Sequence, residues 1–226
     1  MSRKSLNLKS FTYWLDKSQQ HFRRIPVLIW LNILTIVVLS LLSIYARIRS
    51  KGQNIEILFS DPFNIGTFYL GWFTAVSETL WCTAIAICLF TCILLPKSQG
   101  QFKFFTIVSA LIMSLLYFDD RFRFTLILCV FFGTCKIVKT SVYLTYGALL
   151  IFYAWQFRHV IRQTPYVPLL MSLFLFGFSS AIDITPLSSR GIHAMLEDGT
   201  KLIGLINMTI YFWYICQQRI KIALIS

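Results

Sequence analysis

The sequence predicts an all-α protein, a polytopic bundle of about six transmembrane helices. Three observations carry that expectation. Apolar residues make up 57% of the 226-residue chain and charged residues only 13%, about half the share of a soluble domain, so there are too few charges to cover a water-facing surface. The apolar residues gather into runs close to the roughly 20 residues that a helix needs to cross the hydrocarbon core. The runs lack the period-2 alternation of barrel strands, and in lipid each spanning segment must satisfy its own backbone polar groups. With a mean hydropathy of +0.68, a soluble globular domain, a disordered chain and a disulfide-stapled secreted module are excluded.

Residues 1–24 read as a cytoplasmic N-terminal segment and residues 25–226 as a single transmembrane domain. Phe11–Arg24 has the pattern of an amphipathic interfacial helix. Phe11, Trp14, Leu15 and Phe22 share one side, while Lys17, Arg23 and Arg24 project elsewhere. Together with Arg3, Lys4 and Lys9, these three cations are expected to contact anionic lipid headgroups. The same residues also fit an ordinary positive-inside leader.

The first apolar run, Ile25–Ala46, is too long for a signal-peptide core and no small-residue cleavage site follows it, so it reads as a retained span. Next come Thr67–Leu95, interrupted by Ser77, Glu78 and Thr79, and Phe104–Phe118, which ends at Asp119-Asp120. Val138–Phe157, Val167–Ile184 and Met195–Cys216 complete six. Phe124–Phe132 is apolar but too short to span. It fits an interfacial or re-entrant helix, or extends to Cys135 as a seventh, short span. The longest hydrophilic stretch between spans, Arg47–Asn64, holds the turn signal Ser60-Asp61-Pro62.

Basic residues divide twelve to nine between the two sides with either six or seven spans, so their count does not choose between them; length favours six. Arg3, Lys4, Lys9, Lys17, Arg23 and Arg24 precede the first span, which sets the N-terminus in the cytoplasm. The expected location is a bacterial inner membrane or its equivalent. The expected partners are the bilayer, anionic headgroups and other membrane subunits. Nucleic acid is not among them, because the basic residues flank spans.

The net charge of +12 leaves nine acids, and they are the informative residues. Asp16, Glu56 and Asp61 lie outside the spans. Glu78, Asp119, Asp120, Asp183, Glu197 and Asp198 lie in or beside them, and the six-span arrangement puts all six near the outer leaflet. Ionisable groups in a membrane are costly and are candidate functional residues. Glu78, with apolar residues on both sides, reads as a buried functional or fold-fixing carboxyl. Asp119-Asp120 read as a solvated helix end. Glu197 and Asp198, taken to open the last span, also complement its helix dipole. Arg121, Arg123, His193 and Lys201 are available partners, with Lys201 well spaced for Glu197 at i,i+4. The candidate polar cluster is therefore Glu78, Asp119, Asp120, Asp183, His193, Glu197, Asp198 and Lys201.

The three histidines are far apart, the six cysteines form no CxxC, and there is no HExxH, Gly-rich phosphate loop or GxSxG. No metal site and no disulfide framework are expected, and the sequence names no cofactor. Trp72, Trp155 and Tyr166 fit interfacial belts.

Three stretches, FYLGWFTAVSETLW (68–81), LYFDDRFRF (116–124) and LEDGTKLIG (196–204), together resemble a family of uncharacterised bacterial polytopic membrane proteins. The family pattern has an Asp-Asp pair, then a His-Glu pair, then an acidic pair before a Lys in the last span. Asp119-Asp120, Glu197, Asp198 and Lys201 match it, while Thr125-Leu126 stand where His-Glu is expected. The resemblance implies one composite polar site and no particular activity.

These features suit an accessory or structural subunit of a membrane assembly. The alternatives are a cation- or proton-coupled transporter using Glu78 and the outer-side acids, and a membrane-embedded enzyme acting on a lipid or hydrophobic substrate through carboxylates and His193. The missing nucleophile and metal motifs weigh against an enzyme.

Overall fold

The computed structural model describes residues 26–49, 59, 71–185 and 190–225. The N-terminal segment, with its interfacial helix and headgroup-contacting cations, lies outside the described residues, as do Glu56 and Asp61. Among the described residues there are eight α-helices and no strands: α1 (Pro26–Arg49), α2 (Trp72–Leu94), α3 (Gly100–Phe122), α4 (Phe124–Phe132), α5 (Cys135–Gln156), α6 (Arg158–Arg162), α7 (Val167–Ile184) and α8 (Arg190–Ile225).

Local chemistry sets several boundaries. Proline stands first in α1 and in the first turn of α7, where its missing N–H costs nothing. Arg123, with φ 52°, breaks what would otherwise be one helix into α3 and α4. The Asp119 carboxylate then accepts the Thr125 backbone N–H and hydroxyl at 2.9 Å, capping the first turn of α4. Gly133, at φ 71°, ends α4 in the left-handed conformation and returns its N–H to the Cys129 carbonyl.

α1, α3 and α7 run antiparallel to α8, whereas α2 runs parallel to it, with Leu80 beside Thr209. Thr164–Tyr211, Ser172–Gly204 and Ser179–Glu197 contacts align α7 against α8. The Asn32–Asn207 and Leu39–Gly199 contacts align α1 against α8. One end of the bundle therefore gathers the C-terminal ends of α1, α3 and α7 with the N-terminal ends of α2, α5 and α8.

Five helices (α1 over Val27–Tyr45, α2, α3, α5 and α7) are long and apolar enough to cross a membrane, where the apolar runs predicted six spans. The difference lies in α8, which runs through the middle of the bundle against α1, α2 and α7. It buries polar Asn207 and Thr209 beside Leu205, Tyr211 and Phe212. A helix surrounded by protein need not be apolar all round, so its hydropathy falls. α4, at about 14 Å for nine residues, is too short to cross.

Apolar side chains cover the outside. Trp30, Leu34 and Leu41 of α1 and Val130 and Phe131 of α4 are largely exposed, a surface suited to lipid rather than water. Trp72 and Trp155 are exposed near helix ends. Inside, Trp81 stacks on Phe176 and Phe105 packs against Tyr153 and Phe157. In lipid, close packing and interhelical hydrogen bonds hold helices together. Gly204 allows such an approach, since a Cβ there would lie 3.2 Å from the Phe176 ring. Its carbonyl accepts the Ser172 hydroxyl at 2.7 Å.

Three expectations are corrected. The last helix begins at Arg190, so Glu197 and Asp198 lie about two turns inside it, beyond the reach of the dipole explanation. Asp119 and Asp120, read as a solvated helix end, lie in the last turn of α3, which continues to Phe122, and are engaged there by Thr125 of α4 and Lys201 of α8. Cys129 and Cys135 are joined by a disulfide, made possible because the Gly133 turn brings the end of α4 back over the start of α5.

Candidate functional site: charged pairs at one end of the bundle

Four of the six acids, Glu78, Asp119, Asp120 and Asp183, meet basic or hydroxyl partners on neighbouring helices. Glu78 on α2 pairs with Arg121 on α3 at 2.9 Å. Asp120, one residue before Arg121, pairs with Lys201 on α8. Consecutive residues of α3 thus reach in two directions, tying it to α2 and to α8.

A second group links α5, α7 and α8. The Asp183 carboxylate receives the Lys139 ammonium at 2.6 Å and the Tyr143 hydroxyl at 2.7 Å. Lys139 and Tyr143 are four residues apart on α5, so they share a face. His193 lies 3.3 Å from Glu197 through Nδ1, and its Nε2 is 3.1 Å from the Ile182 carbonyl. A carbonyl can only accept, so Nε2 carries a proton. Ser179 donates to the Glu197 carbonyl at 2.9 Å. Asp119 is held by Thr125, as described above.

Of the predicted site residues, the structure brings together Glu78 with Arg121, Asp120 with Lys201, and Glu197 with His193. Lys201 does not use the expected i,i+4 partner Glu197; it crosses to α3. Glu78 and His193, the two groups an acid–base mechanism would combine, belong to separate pairs. Among the described residues Asp198 makes no hydrogen bond or ion pair; its electrostatic neighbours are Lys201, Asp120, Arg123 and Asp183. No group of three or more His, Cys, Asp or Glu side chains with metal-holding geometry occurs among the described residues.

Sequence reasoning missed Lys139, Tyr143 and Thr125. A lysine at the second position of an apolar run, with a tyrosine four residues on, was a usable signal. For Thr125 the only local hint was its place after a left-handed residue, and that conformation is not visible in a sequence.

An all-helical chain with five helices fit to cross a membrane, apolar outside and charged at one end within, is of the integral membrane helix-bundle class. The chain belongs to a domain family of unknown function, DUF8692, whose model matches residues 29–215. That match contains all three stretches that carried the sequence resemblance. Comparison with curated proteins and with solved structures gives no match.

Proposed function

We propose that this chain is an accessory or structural subunit of a membrane assembly, and that its buried acidic cluster sets the arrangement of its helices. The observation that supports this reading is the cross-helix pairing: Glu78–Arg121, Asp120–Lys201 and Asp183–Lys139 each join two different helices. A carboxylate engaged with a cation is a strut, because releasing it leaves an uncompensated charge at low dielectric. The reading keeps the N-terminus in the cytoplasm, six spans including α8, and anionic headgroups against the N-terminal cations. In a mild-detergent extract run on a native gel, the chain should migrate well above its 26.3 kDa monomer mass, and its deletion should remove or shift a membrane complex. A stable monomer, with every complex intact after deletion, overturns the reading.

A second reading, cation- or proton-coupled transport, is favoured by one observation. Asp198 sits among these pairs without a hydrogen bond or ion pair of its own among the described residues, which leaves a carboxylate available to a cation or proton. Equal ion flux through liposomes carrying the wild type, Asp198→Asn or Glu78→Gln removes it.

A further inference from the structure

We infer that the charged end of the bundle faces an oxidising, extracytoplasmic compartment, where the Cys129–Cys135 disulfide staples α4 to α5. The orientation is the one adopted in the reading above; two independent observations support it, and neither depends on a subunit role.

The first is the disulfide. Cys129 lies on the last turn of α4 and Cys135 opens α5, one turn before Lys139, the partner of Asp183. The bond therefore sits at the charged end. Nine residues are too few for a helix to persist alone, and α4 hangs between two left-handed residues, Arg123 and Gly133. The cross-link holds it along α5 and keeps Thr125 on the Asp119 carboxylate. Disulfides of this kind persist in oxidising compartments and are reduced in the cytosol. Forming it takes two electrons and two protons from the two thiols. Thiol–disulfide exchange passes them to the disulfide of an extracytoplasmic oxidoreductase, which leaves as a dithiol.

The second observation is charge. The opposite end of the bundle carries Lys97, Lys103, Arg158, Arg162, Arg219 and Lys221, and none of the described acids. At the disulfide end, Arg121, Lys139 and Lys201 are packed into the bundle on Glu78, Asp183 and Asp120 rather than standing in loops. With those three and Arg219, which stacks over Phe102, set aside, the sequence count becomes eleven to six, a bias toward a cytoplasmic opposite end.

The experiment uses the full chain in sealed, right-side-out vesicles. Thiols are trapped by acid, and the chain is denatured and tagged with a maleimide-polyethylene glycol. Of its six cysteines, four should take a tag before reduction and six after it. Cys129→Ser should take five in both cases, which assigns the pair. A membrane-impermeant phosphine reductant, added to sealed vesicles before trapping, should raise the count from four to six. Six tags without reductant overturn the disulfide. A count that rises only after the vesicles are permeabilised overturns the orientation.

Discussion

Removing the cation opposite Glu78 isolates what the charged pairs contribute. In Arg121→Met, Glu78 loses a guanidinium 2.9 Å away while retaining only 23% of its side-chain exposure. At an effective dielectric near 20 the direct attraction is about 6 kcal/mol, most of which the desolvation of both ions offsets. Breaking a fully buried pair costs about 3–5 kcal/mol because the partner charge is stranded. The residual exposure of both side chains here reduces that to about 2–3 kcal/mol. Glu78→Gln removes the same attraction from the other side and should also destabilise. The double variant Glu78→Gln/Arg121→Met removes both charges and should return to within about 1 kcal/mol of the wild type, a coupling of about 2 kcal/mol or more. A double-mutant cycle on reversible denaturant unfolding in mixed micelles measures it. Additive single losses, within about 0.5 kcal/mol, would refute the view that this pair fastens α2 to α3. The cycle also separates structure from chemistry. A strut can be replaced by a neutral pair, whereas a carboxyl that carries a proton or cation leaves the restabilised double variant inactive in ion flux.

Three further outcomes follow from the packing of the helices. Asn32 and Asn207 exchange amide hydrogen bonds at 3.0 and 2.8 Å between α1 and α8. Since such bonds in a bilayer are worth roughly 0.6–2 kcal/mol, Asn32→Leu should loosen α1 by that order, and a cysteine cross-link between positions 39 and 199 should form more slowly. Gly204→Val should cost about 1–3 kcal/mol by overpacking against Phe176, 3.2 Å from the new Cβ. Gly147→Ala, mid-helix with nothing within 4 Å of the new Cβ, should raise stability in denaturant unfolding by about 0.5–1 kcal/mol.

Much of the fold was readable because lipid imposes a simple rule. An apolar run long enough to cross must be a helix, and so α1, α2, α5 and α7 fall close to their predicted runs. The short run Phe124–Phe132 reads as too short to span alone, with an extension to Cys135 as the alternative, and it forms a separate nine-residue helix with the shorter bounds. α8 was readable only in part. Apolarity identified its lipid-length middle but missed the turns from Arg190 and the polar side chains it turns inward, because hydropathy averages over faces and the middle of this central helix is mostly buried. At the site, residue types pointed to the right carboxylates, but partner choice was legible only within one helix. The i,i+4 rule brought Glu197 and Lys201 together on paper; the real partner of Lys201 is Asp120, 81 positions away.

The sequence by itself determined that this protein is helical, apolar on its outer surface and poor in acids, because those properties follow from composition and from the length of its apolar runs. Only the tertiary structure decided which charges meet. Three of the carboxylates pair with cations on other helices, and a left-handed arginine and a left-handed glycine fold α4 back so that two cysteines join. Such choices depend on distances of a few ångströms between residues far apart in the chain. No local pattern encodes them, and they arise when close packing leaves each buried charge one affordable neighbour.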